Sequence, residues 1–128
     1  MPLKLSLRPS EAVIVNGAVM RNGDRRGVLL IENRAKILRE KDVVFPENAQ
    51  SLAECAYFAV MQIYLTGDLE GPQYDDAIAA LSELVATSRD EILTQRAVEV
   101  SILLAEGSVY ESLSKCRKMM KAAGGAHG

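Results

Sequence analysis

The spacing of hydrophobic positions changes once along this chain, close to Pro46. Before that point short apolar runs alternate with polar residues at a period of two, as in residues 3–7, which is typical of half-buried strands. After it, apolar residues recur about every 3.6 positions, as on amphipathic helices. The pattern predicts an α+β fold, with a small antiparallel sheet or meander followed by a three- to four-helix lobe. We expect a β-rich segment over 1–46, a helical lobe over 47–123 and a disordered tail over 124–128, with the first two in one compact unit.

Two Asn-Gly pairs punctuate the first segment. Asn-Gly is typical of two-residue hairpin turns, because both central positions need positive φ. Asn16-Gly17 and Asn22-Gly23 therefore predict two tight turns that join strands over 12–15, 18–21 and 25–31. A looser strand is expected over 34–39, and a last short strand over 43–45 should stop at Pro46.

Helix starts are marked by three Ser-x-x-Glu patterns. In a capping box the serine hydroxyl and the glutamate carboxylate each accept a hydrogen bond from a backbone N–H at the helix start. The patterns begin at Ser51, Ser88 and Ser108, and Pro72 suits the first position of a further helix. We expect helices to begin at these four places.

Charge is divided unevenly along the chain. Residues 1–45 carry nine basic and five acidic residues, a net charge of +4, whereas residues 46–128 carry a net charge of −6. Arg21, Arg25 and Arg26 surround the second predicted turn, where a hairpin tip would hold several cations together in solvent. This asymmetry favours a polyanionic partner. The alternative is that the cations only solvate a small sheet.

Reactive chemistry is nearly absent from the sequence. The single histidine, His127, lies in the predicted tail, and there is no catalytic triad, zinc-site spacing or glycine-rich phosphate loop. We predict that the chain is not an enzyme and has no cofactor or metal. No signal-peptide pattern and no apolar run long enough to span a bilayer is present, so we expect a cytoplasmic protein with no membrane contact. Cys55 and Cys116 are then expected to be reduced, largely buried thiols.

Nucleic-acid binding and protein binding both remain open on these patterns. Arginines on a β-ribbon contact phosphates well, but Phe45 is the only aromatic residue before Tyr57, so a base-stacking platform is not expected. The apolar helical faces offer the other reading, in which they bind a partner or a second copy, or simply fill the core. A homodimer is also possible through the sheet, because a small sheet leaves open edges that can pair with a second copy. The candidate RNA-binding residues are Arg21, Arg25, Arg26, Lys4, Arg34, Arg39 and Lys41.

The sequence resembles the FlbT family of flagellar biosynthesis repressors. The resemblance is carried by residues 2–7 (PLKLSL), 15–19 (VNGAV), 22–26 (NGDRR) and 37–43 (ILREKDV), and more weakly by 56–58 (AYF) and Tyr64-Leu65. Glu54-Cys55-Ala56 depart from the family pattern, in which cations often precede the Tyr-Phe pair.

The resemblance implies a post-transcriptional regulator of flagellin synthesis that acts in flagellum biogenesis. Its expected partner is the 5′ untranslated leader of flagellin mRNA, whose degradation it would promote, and the regulator FlaF is a second expected partner. In some family members the effect on flagellin synthesis is positive. The alternative is a protein-binding adaptor or chaperone that acts on FlaF or flagellin, with indirect effects on the mRNA.

Overall fold

A computed structural model describes residues 3–125, which divide into two compact units at Val43 and Val44. The first, the strand unit, contains β1 (Leu3–Leu7), β2 (Ala12–Val15), β3 (Ala18–Arg21), β4 (Gly27–Ile31) and β5 (Ile37–Arg39). The second, the helical unit, contains α1 (Leu52–Thr66), α2 (Pro72–Thr87), α3 (Glu91–Ala105) and α4 (Val109–Gly125). The predicted α+β class is confirmed.

The strand unit contains two small antiparallel sheets rather than the single sheet predicted from the sequence. One sheet pairs β1 with β4, and the other has the order β3–β2–β5. Alternation along β1 and β4 places one set of apolar side chains inside. Leu5, Leu7 and Val13 are buried together, and partly buried side chains pack around them: Val15, Leu29, Ile31 and Ile37.

The two Asn-Gly pairs adopt different structures. Asn16 (φ 50°) and Gly17 (φ 85°) both have positive φ and close the β2–β3 hairpin, as predicted. The second predicted hairpin is wrong. Since β3 pairs only with β2 and β4 only with β1, residues 22–26 connect two sheets, and neither Asn22 nor Gly23 has positive φ. The Asn22 side chain holds this connection in place through hydrogen bonds that are described below.

The predicted strand over residues 43–45 is also wrong, and the strand expected over 34–39 is shorter. Only Ile37–Arg39 pair with β2. A 3-10 helix at Glu40–Asp42 then turns the chain, because the Val43 N–H donates to the Glu40 carbonyl at 3.1 Å. A second 3-10 helix begins at Pro46, and the extended residues 43–45 between the two helices pair with no strand of the described residues.

The helical unit is a ring of four helices in which each helix packs against two others. α1 contacts α2 and α4, and α3 contacts the same two helices. A buried hydrogen bond links the last two helices, with Ser112 Oγ donating to the Val100 carbonyl at 3.2 Å. The largest fully buried side chains of this unit are apolar or aromatic: Tyr57, Ile63, Leu81, Leu104, Leu113 and Met119.

The helix starts follow the sequence closely, with one correction. At Ser51 both bonds of the capping box are present at 3.0 Å. α3 is capped instead by Asp90, whose Oδ1 accepts from the backbone N–H groups of residues 92 and 93, so Ser88 is not the cap. α4 begins directly after Ser108 and continues to Gly125. The first two residues of the predicted tail are therefore helical, and residues 126–128 lie outside the described residues.

Both cysteines are free thiols, as predicted. Cys116 is completely buried, and this burial raises the pKa of its thiol to about 12. Cys55 is half-buried and donates its S–H to the Ala49 carbonyl at 3.2 Å. Within residues 3–125, no helix combines the length and apolar character that a membrane crossing requires.

Candidate nucleic-acid interface

Four arginines of the strand unit lie where two segments are joined by one side chain. Asn22 Nδ2 donates to the carbonyl oxygens of Arg8 at 2.9 Å and Arg25 at 2.8 Å, and lies 3.3 Å from that of Leu7. Its Oδ1 accepts from the Gly23 N–H at 2.9 Å. Because one amide group contacts both arginine carbonyls, the backbones of residues 8 and 25 lie side by side. We call these loops, residues 8–11 and 21–26, the arginine junction.

Backbone bonds reinforce the arginine junction. The Ser10 N–H donates to the Gly23 carbonyl at 2.8 Å, and the Asn22 N–H donates to the Glu11 carbonyl at 2.9 Å. Ser10 has a positive φ of 62°, which is unusual for a residue other than glycine. Main-chain contacts therefore hold the two loops together in addition to the Asn22 side chain.

A buried carboxylate lies beneath the arginine junction. Glu11 is only 6% exposed. Its Oε1 accepts from the Arg8 N–H at 2.8 Å, and its Oε2 lies 3.4 Å from Arg39 Nη2. The backbone hydrogen bond from Arg8 is the main reason that the pKa of Glu11 is lowered, with Arg39 adding to the effect. Arg39 also donates to the Ser6 carbonyl at 2.5 Å, so its guanidinium is engaged inside the unit.

Arg21 is anchored yet remains accessible. Its Nη1 donates to the Ser10 carbonyl at 2.6 Å and lies 3.5 Å from Glu40 Oε1. Even so, 61% of the side chain is exposed. An exposed ion pair of this kind is weak, so the guanidinium can still accept a stronger anionic ligand.

The structure places the predicted RNA-binding residues in different parts of the strand unit. Arg21, Arg25 and Arg26 lie in the arginine junction, and Lys41 is exposed in the 3-10 helix that also holds Glu40. Lys4 lies opposite Leu30, three residues from the junction end of β1, which at the rise of a strand is about 10 Å away. Arg34 follows the same far end of the sheet. Arg39 contacts Glu11 of the arginine junction, and its guanidinium is already bonded to the Ser6 carbonyl.

Sequence reasoning missed Arg8, whose side chain is 69% exposed in the arginine junction. The only signal was its place beside Pro9-Ser10 in the loop after β1, and that pattern does not say which later loop it meets. Beside the arginine junction lies a depression of about 190 Å³. It is lined by Arg21 and Asn22 on one side and by apolar side chains that include Leu7, Val13 and Leu29.

Comparison with known proteins places this chain in a family. The family model described as Flagellar protein FlbT matches residues 3–123. The chain belongs to the FlbT family. The resemblance found in the sequence motifs is thereby confirmed, and the match extends through all four helices of this FlbT family member.

Individual relatives agree with this assignment. The flagellum biosynthesis repressor protein FlbT of Caulobacter vibrioides (strain ATCC 19089) is 38% identical over 121 residues, which cover 94% of this chain and 86% of that relative. Probable flagellum biosynthesis repressor proteins FlbT of Caulobacter sp. (strain K31) and Rhodopseudomonas palustris (strain CGA009) are 38% and 34% identical, and each alignment covers 94% of this chain. No solved structure matches the chain significantly.

Proposed function

We propose that this FlbT family member is a cytoplasmic post-transcriptional regulator of flagellum biosynthesis, which associates with the 5′ untranslated leader of flagellin mRNA and promotes its degradation. The names of its relatives support a repressor role in flagellum biosynthesis. The observation that carries the RNA proposal is the arginine junction, where the Asn22 side chain and backbone hydrogen bonds hold four exposed arginines on two adjoining segments: Arg8, Arg21, Arg25 and Arg26.

Guanidinium groups held in this way suit phosphate recognition. Arginine binds phosphate oxygens with two parallel hydrogen bonds, and a scaffold that is already ordered loses less entropy on binding. Arg25 and Arg26 have no ion pair within the described residues, so they are the first contacts that we propose. Lys4 would contact the RNA backbone about 10 Å farther along, and Arg34 would contact it beyond Lys4.

The depression beside the arginine junction gives the second element of the interface. Single-stranded RNA offers unstacked bases, which proteins accept between apolar and polar side chains. We propose that one base enters this depression, with its flat faces against the apolar lining and its edge near the Asn22 and Arg21 side chains. Without a stacking aromatic, most of the affinity comes from phosphate contacts and falls steeply with salt.

A salt titration of leader binding tests this interface. We expect Arg25→Ala with Arg26→Ala to weaken binding to the flagellin leader by at least tenfold at low salt. The slope of log K against log salt should fall by about 1.4, since each phosphate contact with a single strand contributes about 0.7.

Arg89→Ala with Arg96→Ala is the matched control, because it removes the same charge from exposed positions of the helical unit. If both pairs weaken binding equally, only net charge matters. If neither pair changes binding, the arginine junction does not contact the leader.

The second candidate is an adaptor or chaperone that acts on FlaF or flagellin. It is supported by apolar side chains that remain exposed on α3, where Ile92 is 61% exposed and Ile102 is 53% exposed, and by the exposed ring of Tyr110. A pull-down from lysate treated with RNase separates the candidates. A direct complex with FlaF or flagellin should survive the treatment, whereas an association through shared RNA should be lost.

A further inference from the structure

The two strands of the β1–β4 sheet differ in whether side chains hydrogen-bond to their backbone. At β1, the Ser6 carbonyl accepts from Arg39 and the Leu7 carbonyl lies near the Asn22 amide. At β4, β1 is the only pairing strand among the described residues, and no side chain of residues 3–123 hydrogen-bonds to the backbone of Gly27–Ile31. One edge of β4 therefore leaves its N–H and C=O groups available for another strand.

β4 also lacks the features that usually protect an open edge. Its sequence, Gly-Val-Leu-Leu-Ile, contains no charged residue and no proline. Val28 and Leu30, on its outer face, are 57% and 58% exposed. Natural edge strands are commonly guarded by lysine, proline or a bulge, because an apolar edge recruits other strands.

We infer that β4 pairs with β4 of a second copy of this chain, in an antiparallel arrangement centred on Leu29. A two-fold axis perpendicular to the sheet keeps each face continuous between the copies. Val28 then lies opposite Leu30 of the second copy on the outer face, and Gly27 lies opposite Ile31 on the inner face. Every side chain that β4 brings to this pairing is apolar.

Charge complementarity selects this partner and this register. Arg26 directly precedes β4 and Glu32 directly follows it, and both side chains are exposed without an ion pair within the described residues. In the pairing centred on Leu29, Arg26 lies opposite Glu32 of the second copy, and symmetry repeats the pair. The chain is thus complementary to itself in both polarity and charge.

Neighbouring registers lose this complementarity. A pairing centred on Val28 would set Arg26 against Leu30 of the second copy. A pairing centred on Leu30 would set Arg26 against Arg34 and Val28 against Glu32. Since opposite charges across strands stabilise a sheet and like charges destabilise it, only the register centred on Leu29 satisfies both ends of the strand.

The test measures oligomeric state without RNA, so its outcome is separate from that of the proposed RNA interface. In sedimentation-velocity experiments over a concentration series, the full chain should approach twice its mass of 13.9 kDa. Arg26→Glu or Glu32→Arg alone should raise the dissociation constant of the dimer by about tenfold, because each sets like charges across the strands. The double charge swap should restore it to within about threefold.

Two further variants test whether the β4 edge itself forms the dimer. Glu83→Arg makes the same charge change on the exposed face of α2 and should leave the dimer unchanged. Val28→Lys places a charge on the outer face of β4 and should give a monomer whose amide spectrum still shows the β1–β4 pairs. A wild-type chain that stays monomeric at every concentration would overturn the inference. A dimer that ignores both Glu32→Arg and Val28→Lys would also overturn it, since it must use another surface.

Discussion

Replacing Asn22 with alanine should destabilise the strand unit more than any other exposed-loop change, because this one amide joins two loops. Three of its hydrogen bonds are 2.9 Å or shorter, to the carbonyls of Arg8 and Arg25 and from the Gly23 N–H. A hydrogen bond contributes about 1 kcal/mol to stability, and the carbonyls of Arg8 and Arg25, which are exposed residues, regain water once the amide is gone. We therefore expect a loss of about 2 kcal/mol in the free energy of unfolding of the strand unit.

The aspartate variant sharpens this prediction. Asn22→Asp keeps the acceptor for the Gly23 N–H but replaces the NH₂ donor with an oxygen that faces two carbonyl oxygens. At pH 7 it should lose at least as much stability as the alanine variant, although its shape is nearly that of asparagine.

Urea unfolding, followed through the backbone amide NMR signals of residues 3–43, measures these effects. For a unit this small the dependence on urea is about 1 kcal/mol per molar, so the midpoint should fall by about 2 M. Asn33→Ala is the matched control, since Asn33 is exposed and should change stability by less than about 0.5 kcal/mol. Equal shifts for Asn22→Ala and Asn33→Ala would refute the role given to the amide, as would a wild-type midpoint for Asn22→Asp.

Three further predictions follow from single residues. Gly17→Ala should cost about 1 kcal/mol because Gly17 has positive φ, whereas Gly23→Ala should be nearly neutral in the same urea assay; equal losses would contradict the different turns. The pKa of Glu11 is lowered from its usual 4.5, so its contribution to stability is present above that pH and is lost as the pH falls through the folded value. Urea midpoints measured from pH 6 to pH 3 should therefore fall less in Glu11→Gln than in wild type, and parallel curves would argue against the buried carboxylate. In a Cys55→Ser background, Cys116 should resist iodoacetamide at pH 8 until the chain is unfolded, because its thiol has a pKa of about 12; rapid labelling of the folded chain would contradict its burial.

The comparison of the two Asn-Gly pairs shows what local sequence can determine. Both have the residues of a tight hairpin turn, and for Asn16-Gly17 the prediction is confirmed. Whether Asn22-Gly23 forms a hairpin turn depends on which strand pairs with β4. That strand is β1, which lies far before the turn in sequence. Long-range pairing therefore overrides turn propensity, and no pattern within residues 18–31 predicts that β4 pairs with β1.

Helix starts were better predicted because caps are local. The Ser51 box needs only residues within one turn, and it is present as the sequence indicates. At α3 two good cap residues compete, and Asp90 caps the helix because its carboxylate reaches two backbone N–H groups. Predicting the arginine junction requires both the local sequence and the long-range strand pairing. The arginines after β3 were visible in the sequence, whereas their meeting with Arg8 depends on sheet topology.

The contact between Arg39 and β1 has a consequence for synthesis on the ribosome. Arg39 is 33 residues beyond Ser6, whose carbonyl it binds, and 28 residues beyond the buried carboxylate of Glu11. A nascent chain that ends before β5 leaves that carboxylate without Arg39, one of its two arginine partners, and β2 without one of its two neighbouring strands. The strand unit should therefore reach its native form only after residue 39 has left the exit tunnel, even though all residues of the β2–β3 and β1–β4 pairs emerge earlier.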